Sequence, residues 1–343
     1  MPSIKLYPVS VIMVAFGSDK HLQDAVCAIL SSSGVAVSLL IVDNGSEKVS
    51  ELARDDRITV LSPGHNLGFV GGCNLAASVA KDPYLAFVNN DALVEPQALR
   101  SMVAILASKP RIIVSGLVLL ANEKDVINSA GNPVHYSFIS WAGWYGVRLA
   151  EAELSDHIPA VSGAFFGLSR RVWNELGGFA PDYFAYGEDL ELSLRAHLSN
   201  IDVILDPNSR AYHHYDFARN PRKYFLLERN RIATLLTIYQ MRTLLLLSPA
   251  LLVVEVAMVT QSLLGGWFGQ KMLSYINVVR AIPQIAQRRS TLRDVRKCSD
   301  RCLVGVLHPN IDPPGRFGLT PPALLNTLLR GYWKMVAPII NRY

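Results

Sequence analysis

The sequence predicts an α/β protein: a doubly wound, mostly parallel sheet followed by a C-terminal helical region that associates with a membrane. Three observations carry this. Short apolar runs alternate with amphipathic stretches through the first third of the 343 residues; the apolar runs give way to small polar residues; and after Pro221 the chain turns basic and long-helical. The run VSVIMVAF (9–16) is continuous and β-branched, which suits a strand buried on both faces. VSLLIVDN (37–44), ITVL (58–61) and PYLAFVNND (83–91) repeat that character. Between them, 20–32, 47–55 and 72–81 have helical spacing, so the order is βαβαβαβ. Ligands of such sheets lie beyond the carboxyl ends of the strands. Those ends are Ala15-Phe16-Gly17, Asp43-Asn44-Gly45-Ser46 and Asn89-Asn90-Asp91.

From 111 to 214 the pattern is mixed, with a strand at 112–120, an aromatic segment at 136–145 and a small-residue run at 161–164. A helix is expected at 188–198 and short strands at 201–205 and 211–214. The expected division is a catalytic domain over 1–218, a basic apolar helical region over 219–298 and a tail over 299–343. Within the domain, a nucleotide-binding half covers about 1–110 and an acceptor half about 111–218.

Half of the residues are hydrophobic and 18% are charged, apolar for a soluble enzyme and too polar for a polytopic membrane protein. The net charge of +5 conceals two opposed halves. Residues 1–218 hold 15 Lys+Arg against 23 Asp+Glu, net −8, and 219–343 hold 18 against 5, net +13. A polyanion in the acidic half calls for a cation, and the basic half suits an anionic membrane surface. No nucleic-acid-binding motif is present, and nucleic acid is not an expected partner. Cys27, Cys73, Cys298 and Cys302 suggest no paired framework, and MPSIKLYPVS lacks a signal-peptide pattern, so a reducing cytoplasm is expected.

Four constellations have the residue types that chemistry needs. Asp43 ends a strand in a turn, where it can accept a hydrogen bond from a base or ribose; the same composition makes an ordinary Asx turn. Asn66-Leu67-Gly68-Phe69-Val70-Gly71-Gly72-Cys73-Asn74 leads into a helix, and its glycines let backbone amides approach a diphosphate. It matches neither a dinucleotide fingerprint nor a P-loop. Asn89-Asn90-Asp91 offers one carboxylate with amide oxygens, suited to a hard divalent cation or to a helix N-cap, and His213 or His214 could add a ligand. Gly177-Gly178-Phe179, Phe184-Ala185-Tyr186-Gly187 and Glu188-Asp189 place two acids at a helix start behind an aromatic approach. The helix dipole favours acids there, and a carboxylate in such a cleft can also take the proton of an attacking hydroxyl. No G-x-S-x-G elbow is present, and Cys298 with Cys302 and His308 is too sparse for structural zinc.

In this order, with Gly163-Ala164, His213 and Arg229-Asn230-Arg231, the residues resemble bacterial family 2 glycosyltransferases, in particular the rhamnosyltransferase-like branch, over about residues 8–235. The resemblance implies a GT-A fold, a nucleoside-diphosphate sugar donor, a divalent cation (Mg or Mn) and transfer with inversion. It implies Asp189 as catalytic base, Asp91 and His213 as metal ligands, and Asp43 on the nucleotide. Ala15, Phe16, Asn66, Gly68, Gly72, Asn74, Asn89, Asn90 and Asp91 complete the donor side, and Gly163, Ala164, Tyr186 and Glu188 face the acceptor. Asn89 departs from the first acid of D-x-D. The implied role is transfer of a sugar to a glycan or polyprenyl-linked acceptor in cell-envelope polysaccharide synthesis. A non-catalytic nucleotide-sugar-binding or scaffold protein of the same fold is the second reading.

The stretch 244–264 is long enough to span a bilayer but contains Pro249, Glu255 and Gln261. Basic residues flank it on both sides, against a single span. The expectation is helices lying in the cytoplasmic leaflet, with the protein on the cytoplasmic face of the membrane.

Overall fold

The computed structural model describes residues 6–17, 20–52, 54–214, 221–314 and 321–343. The expected boundary at 218/219 lies outside the described residues. The first strand, β1 (Tyr7–Gly17), pairs in parallel with β2 (Val35–Ser46) and β4 (Tyr84–Val88), and β2 pairs with β3 (Ile58–Leu61). Alternation along β1 splits its side chains between two cores. Val9, Val11 and Met13 pack with α1 (Leu22–Leu30) and α3 (Ala98–Ser108), whereas Ile12 and Val14 pack with α2 (Gly68–Val79).

The parallel expectation holds through β3-β2-β1-β4 and then gives way. β8 (Phe165–Ser169) runs antiparallel between β4 and β6 (Ile112–Leu120), and β9 (Asp202–His213) lies parallel to β6. β5 (Ala92–Val94) closes the edge beside β9, and β7 (Ile127–Ser129) pairs with β6. The sheet is therefore mixed, because β8 returns from the expected acceptor half directly into the centre. The two short strands expected at 201–205 and 211–214 are one strand, whose register against β6 shifts between Gly116 and Leu117. The helix expected at 47–55 is only a 3₁₀ turn at Val49–Glu51. The helix after Tyr186-Gly187 is α5 (Glu188–Leu198), preceded by α4 (Arg170–Leu176), and both pack on the α2 side of the sheet.

Beyond it, α6 (Pro221–Ile238), α7 (Met241–Leu264), α8 (Phe268–Arg280) and α9 (Ile282–Val295) form a helical layer. The stretch expected to be a tail contains α10 (Arg301–Val304) and α11 (Ala323–Ile340), which fold back onto the domain. Trp333 stacks on Tyr136 at 4.8 Å, and the Tyr136 hydroxyl donates to the Leu329 carbonyl at 3.1 Å. Cys298 and Cys302 form a disulfide, correcting the expectation of no pairing: a turn between them brings their Cα atoms to 6.2 Å. Among the described residues α7 alone is long and apolar enough to cross a bilayer, and 22% of its most apolar window is buried.

Candidate active site

Three loops converge at the carboxyl ends of β1, β2 and β4. Asp43 folds its own turn, Oδ1 accepting from the backbone N–H groups of Gly45 at 3.0 Å and Ser46 at 2.9 Å. Asn44 is buried, and its amide joins β2 to the start of α2: Nδ2 donates to the Gly68 carbonyl at 2.8 Å and Oδ1 accepts from Leu67 N–H at 3.2 Å. Asn66 Oδ1 accepts from Gly68 N–H at 2.7 Å. Ala15 is fully buried on β1, while Phe16 beside it is 61% exposed, leaving a ring face open at the rim.

The glycine-rich segment is mostly helix, α2 beginning at Gly68. Gly68 has φ +73°, and a Cβ there would sit 2.4 Å from the Phe184 carbonyl oxygen, so this glycine admits the Phe184 loop. Val70 N–H donates to that same carbonyl at 3.0 Å. Gly72 abuts Val14, which lets α2 lie close on the sheet. Asn74 commits its amide to Phe179, donating to the carbonyl and accepting from the N–H, each at 3.0 Å. Of this segment's expected donor contacts, Gly68, Gly72 and Asn74 serve packing between α2 and its neighbours.

Asp91 and His213 meet across β5 and β9, with Asp91 Oδ1 3.0 Å from His213 Nε2. His213 Nδ1 lies 3.0 Å from Asn128 Oδ1 on β7. With Nδ1 protonated against that amide oxygen, Nε2 points a lone pair toward the carboxylate, an arrangement that suits a cation held by both. His214 instead stacks on His21, ring centroids 3.6 Å apart, which assigns His213 as the histidine facing Asp91. Among the described residues no group of three or more His, Cys, Asp and Glu could hold a metal. Asp91 and His213 fit a cation that takes its remaining ligands from substrate phosphate and water. Asn90 lies between Asn89 and Asp91 at the same strand end.

The link between this rim and the acidic pair is Gly163-Ala164. Asn89 N–H donates to the Ala164 carbonyl at 3.0 Å, and Gly163 N–H donates to Asp189 Oδ2 at 2.9 Å. Asp189 Oδ1 accepts from Leu190 N–H at 2.8 Å. Gly163 has little room for a side chain, since a Cβ would lie 3.3 Å from Asp189 Oδ2 and 3.7 Å from Glu188 Oε1. Burial raises the pKa of Asp189 against the pull of those backbone donors. Burial first, and the Asp189 charge second, push Glu188 up to about 8. Glu188 Oε2 has no hydrogen-bond partner, so the pair's negative charge settles on Asp189. Tyr186, 40% exposed at φ +69°, stands at the mouth with Gly187 as the left-handed N-cap of α5.

Asn230 and Arg229 hold that mouth in shape. Asn230 Nδ2 donates to the carbonyls of Tyr183, Ala185 and Tyr186 at 3.2, 2.9 and 2.6 Å. Arg229 Nη2 donates to those of Asp182 and Tyr183 at 2.8 and 2.7 Å, and its Nε to Asn230 Oδ1 at 2.8 Å. The sequence marks Arg229-Asn230-Arg231 by its place in the motif order but gives it no task. Asn44 and Asn128, which also fasten the site, have no signal beyond residue type.

Residues 10–177 match the family model described as Glycosyl transferase family 2. Those 168 residues, just under half of the chain, are similar to that family. The chain is 29% identical over 196 residues to the O-antigen biosynthesis protein RfbC of Myxococcus xanthus, covering 53% of this chain and 15% of that protein. Polypeptide N-acetylgalactosaminyltransferase 4 of Caenorhabditis elegans is 25% identical over 198 residues, 53% of this chain and 33% of its own length. The low-salt glycan biosynthesis hexosyltransferase Agl10 of Haloferax volcanii is 23% identical over 199 residues, 57% of this chain and 63% of its own. The match thus spans less than two thirds of each of these relatives. The solved structure of GalNAc-T7 with UDP, GalNAc and Mn2+ superposes at TM-score 0.54 and 16% identity, covering 69% of this chain and 49% of that one. That of S. aureus TarS 1-349 with UDP gives 0.50 at 13% identity, covering 98% and 90%. These likenesses show a mixed α/β GT-A fold, with helices appended at its C-terminus.

Proposed function

We propose that this protein is an inverting glycosyltransferase that moves a sugar from a nucleoside diphosphate to a glycan or polyprenyl-linked hydroxyl in polysaccharide synthesis at the cytoplasmic face of the membrane. The observation that carries the reading is the short path from Asn89 through Ala164 and Gly163 to Asp189, which ties a strand end able to hold the donor to a partly buried carboxylate. Asp43 and the exposed Phe16 ring would receive the nucleotide. A divalent cation, when bound at Asp91 and His213, would neutralise the departing diphosphate.

Asp189 takes the proton from the acceptor hydroxyl. The acceptor oxygen bonds to the anomeric carbon as the bond from that carbon to the diphosphate breaks, and the nucleoside diphosphate leaves with the electron pair. Two backbone donors fix the carboxylate while each oxygen keeps a lone pair for the hydroxyl. The polysaccharide setting rests on the named roles of the Myxococcus and Haloferax relatives. Rhamnose as the sugar rests on the resemblance in motif order.

Membrane lipid extracts and a panel of sugar nucleotides, assayed for nucleoside-diphosphate release, test the reading. Asp189→Asn should lower transfer by about 10²–10⁴-fold while donor affinity persists. Donor binding without turnover under every condition would instead identify a binding module. A relative named as an inactive N-acetylgalactosaminyltransferase-like protein, from Macaca fascicularis, makes that outcome a real alternative.

A further inference from the structure

Where α6 ends and α7 begins, a cavity of about 270 Å³ is bounded by Arg289, Arg293 and Arg296, with Tyr239, Gln240 and Met241. The guanidiniums are held apart by different means. Arg289 Nη1 donates to the Leu236 and Tyr239 carbonyls, both at 2.6 Å, and Arg296 donates to the Ile238 carbonyl and, at 2.8 Å, to Asp300. Arg293 is exposed and has no hydrogen-bond or ion-pair partner among the described residues. Among the described residues Arg296 alone of the three pairs with a carboxylate, that of Asp300, which also accepts from Gln240 N–H at 2.7 Å. Burial, then its neighbours Arg296 and Arg293, lowers the pKa of Arg289, a strain that an anion would relieve.

From the lip of this cavity an apolar stripe runs along α7. Met241, Leu245, Leu252, Val256 and Leu263 are 58–69% exposed and share one helical face. Leu273, Ile276 and Val279 are exposed as well on α8, and Leu324, Leu328 and Met335 on α11. These helices are tied to α7: the Tyr332 hydroxyl of α11 donates to the Leu246 carbonyl at 2.6 Å, and Lys271 of α8 pairs with Glu255 at 2.8 Å. A run of exposed apolar side chains along one helical face marks an interaction surface.

The other face of α7 is committed to protein. Leu247, Ala250 and Val254 are buried, and Glu255 pairs with Arg231 and Lys271. A helix crossing the bilayer would have to expose those charges to lipid or break the pairs. We infer that the arginine cavity receives the phosphate of an anionic lipid headgroup, and that the stripe beside it seats α7 in the plane of the leaflet. This deepens the membrane part of the reading above and does not depend on sugar transfer.

The test is sedimentation of the full chain, without sugar nucleotide, with vesicles of phosphatidylcholine alone and mixed with phosphatidylglycerol. The wild type should bind the mixed vesicles more tightly. Arg293→Glu should weaken mixed-vesicle binding by about thirty-fold and leave neutral-vesicle binding unchanged, since each basic residue near such a surface contributes roughly 1 kcal/mol. Leu252→Asp should weaken both. Both positions are exposed, so each variant should melt with the wild type. No vesicle binding by the wild type, or equal binding of Arg293→Glu to mixed vesicles, overturns the proposal. Arg293-dependent binding of inorganic phosphate alongside Arg293-independent vesicle binding also overturns it, in favour of a free-anion site. Absence of transfer activity leaves all these readouts intact.

Discussion

Glu188 and Asp189 are adjacent, the first buried and the second partly so, yet their neighbours divide the labour between them. Two backbone N–H groups stabilise charge on Asp189, whereas Glu188 Oε2 meets no donor. Glu188 is consequently the acid that stays protonated at neutral pH, titrating at about 8. Its folded-state pKa lies above its unfolded value. The stability it contributes is therefore complete below the ordinary glutamate range and is lost as pH rises through about 8. Glu188→Gln mimics the protonated form. It should retain most transfer at pH 7 and remove the decline in melting temperature that this group gives the wild type as pH rises from about 4.5 to about 8. The same decline over that range in the variant would refute this division. Neighbouring sequence reveals the acids but not their order of ionisation, because that order depends on Gly163, which is 26 positions away from Asp189.

At the scale of elements, α6 acts as a clamp on the 182–187 loop. That loop contains two non-glycine residues with positive φ, Phe184 at 63° and Tyr186 at 69°, a costly conformation that needs outside support. Asn230 supplies it through three carbonyls. Asn230→Ala should loosen the start of α5 and misplace Asp189, lowering kcat by about 10–100-fold with little change in donor KM. Steady-state kinetics with varied donor would show this, and an unchanged kcat would remove Asn230 from the positioning of the base. The strand and helix spans were largely legible, since 58–61, 112–120 and 188–198 agree with the observed elements at both ends. The 47–55 segment was not, because a few apolar positions in a short polar connection do not outweigh the cost of nucleating a helix.

For the whole molecule, the decisive feature is how the basic C-terminal half neutralises itself. Arg231 and Lys271 meet Glu228 and Glu255 in a buried cluster joining α6, α7 and α8, and the Tyr275 hydroxyl donates to Glu255 at 2.6 Å. Lys271 is fully buried, so Lys271→Met leaves two carboxylates to one cation and should cost about 3–5 kcal/mol. Denaturant unfolding measures it, and a loss below about 1 kcal/mol would show that the helical layer does not rely on the cluster. The clamp and the cluster are both built on α6, so the helices facing outward and the loop leading to Asp189 are parts of one packed unit.

By itself the sequence determined the α/β order, the strand ends where polar residues gather, and the succession from Asp43 to Asp189, because local periodicity and turn chemistry write these in consecutive residues. Only the tertiary structure decided that the sheet is mixed and that Gly68, Gly72 and Asn74 serve packing. It also decided that His213 rather than His214 faces Asp91, that Cys298 pairs with Cys302, and that Glu255 lies among cations. Each of these is a contact between residues whose spacing along the chain or orientation carries no local signal. Their partners are chosen by the shape of the folded core and by the need to satisfy every buried charge and amide.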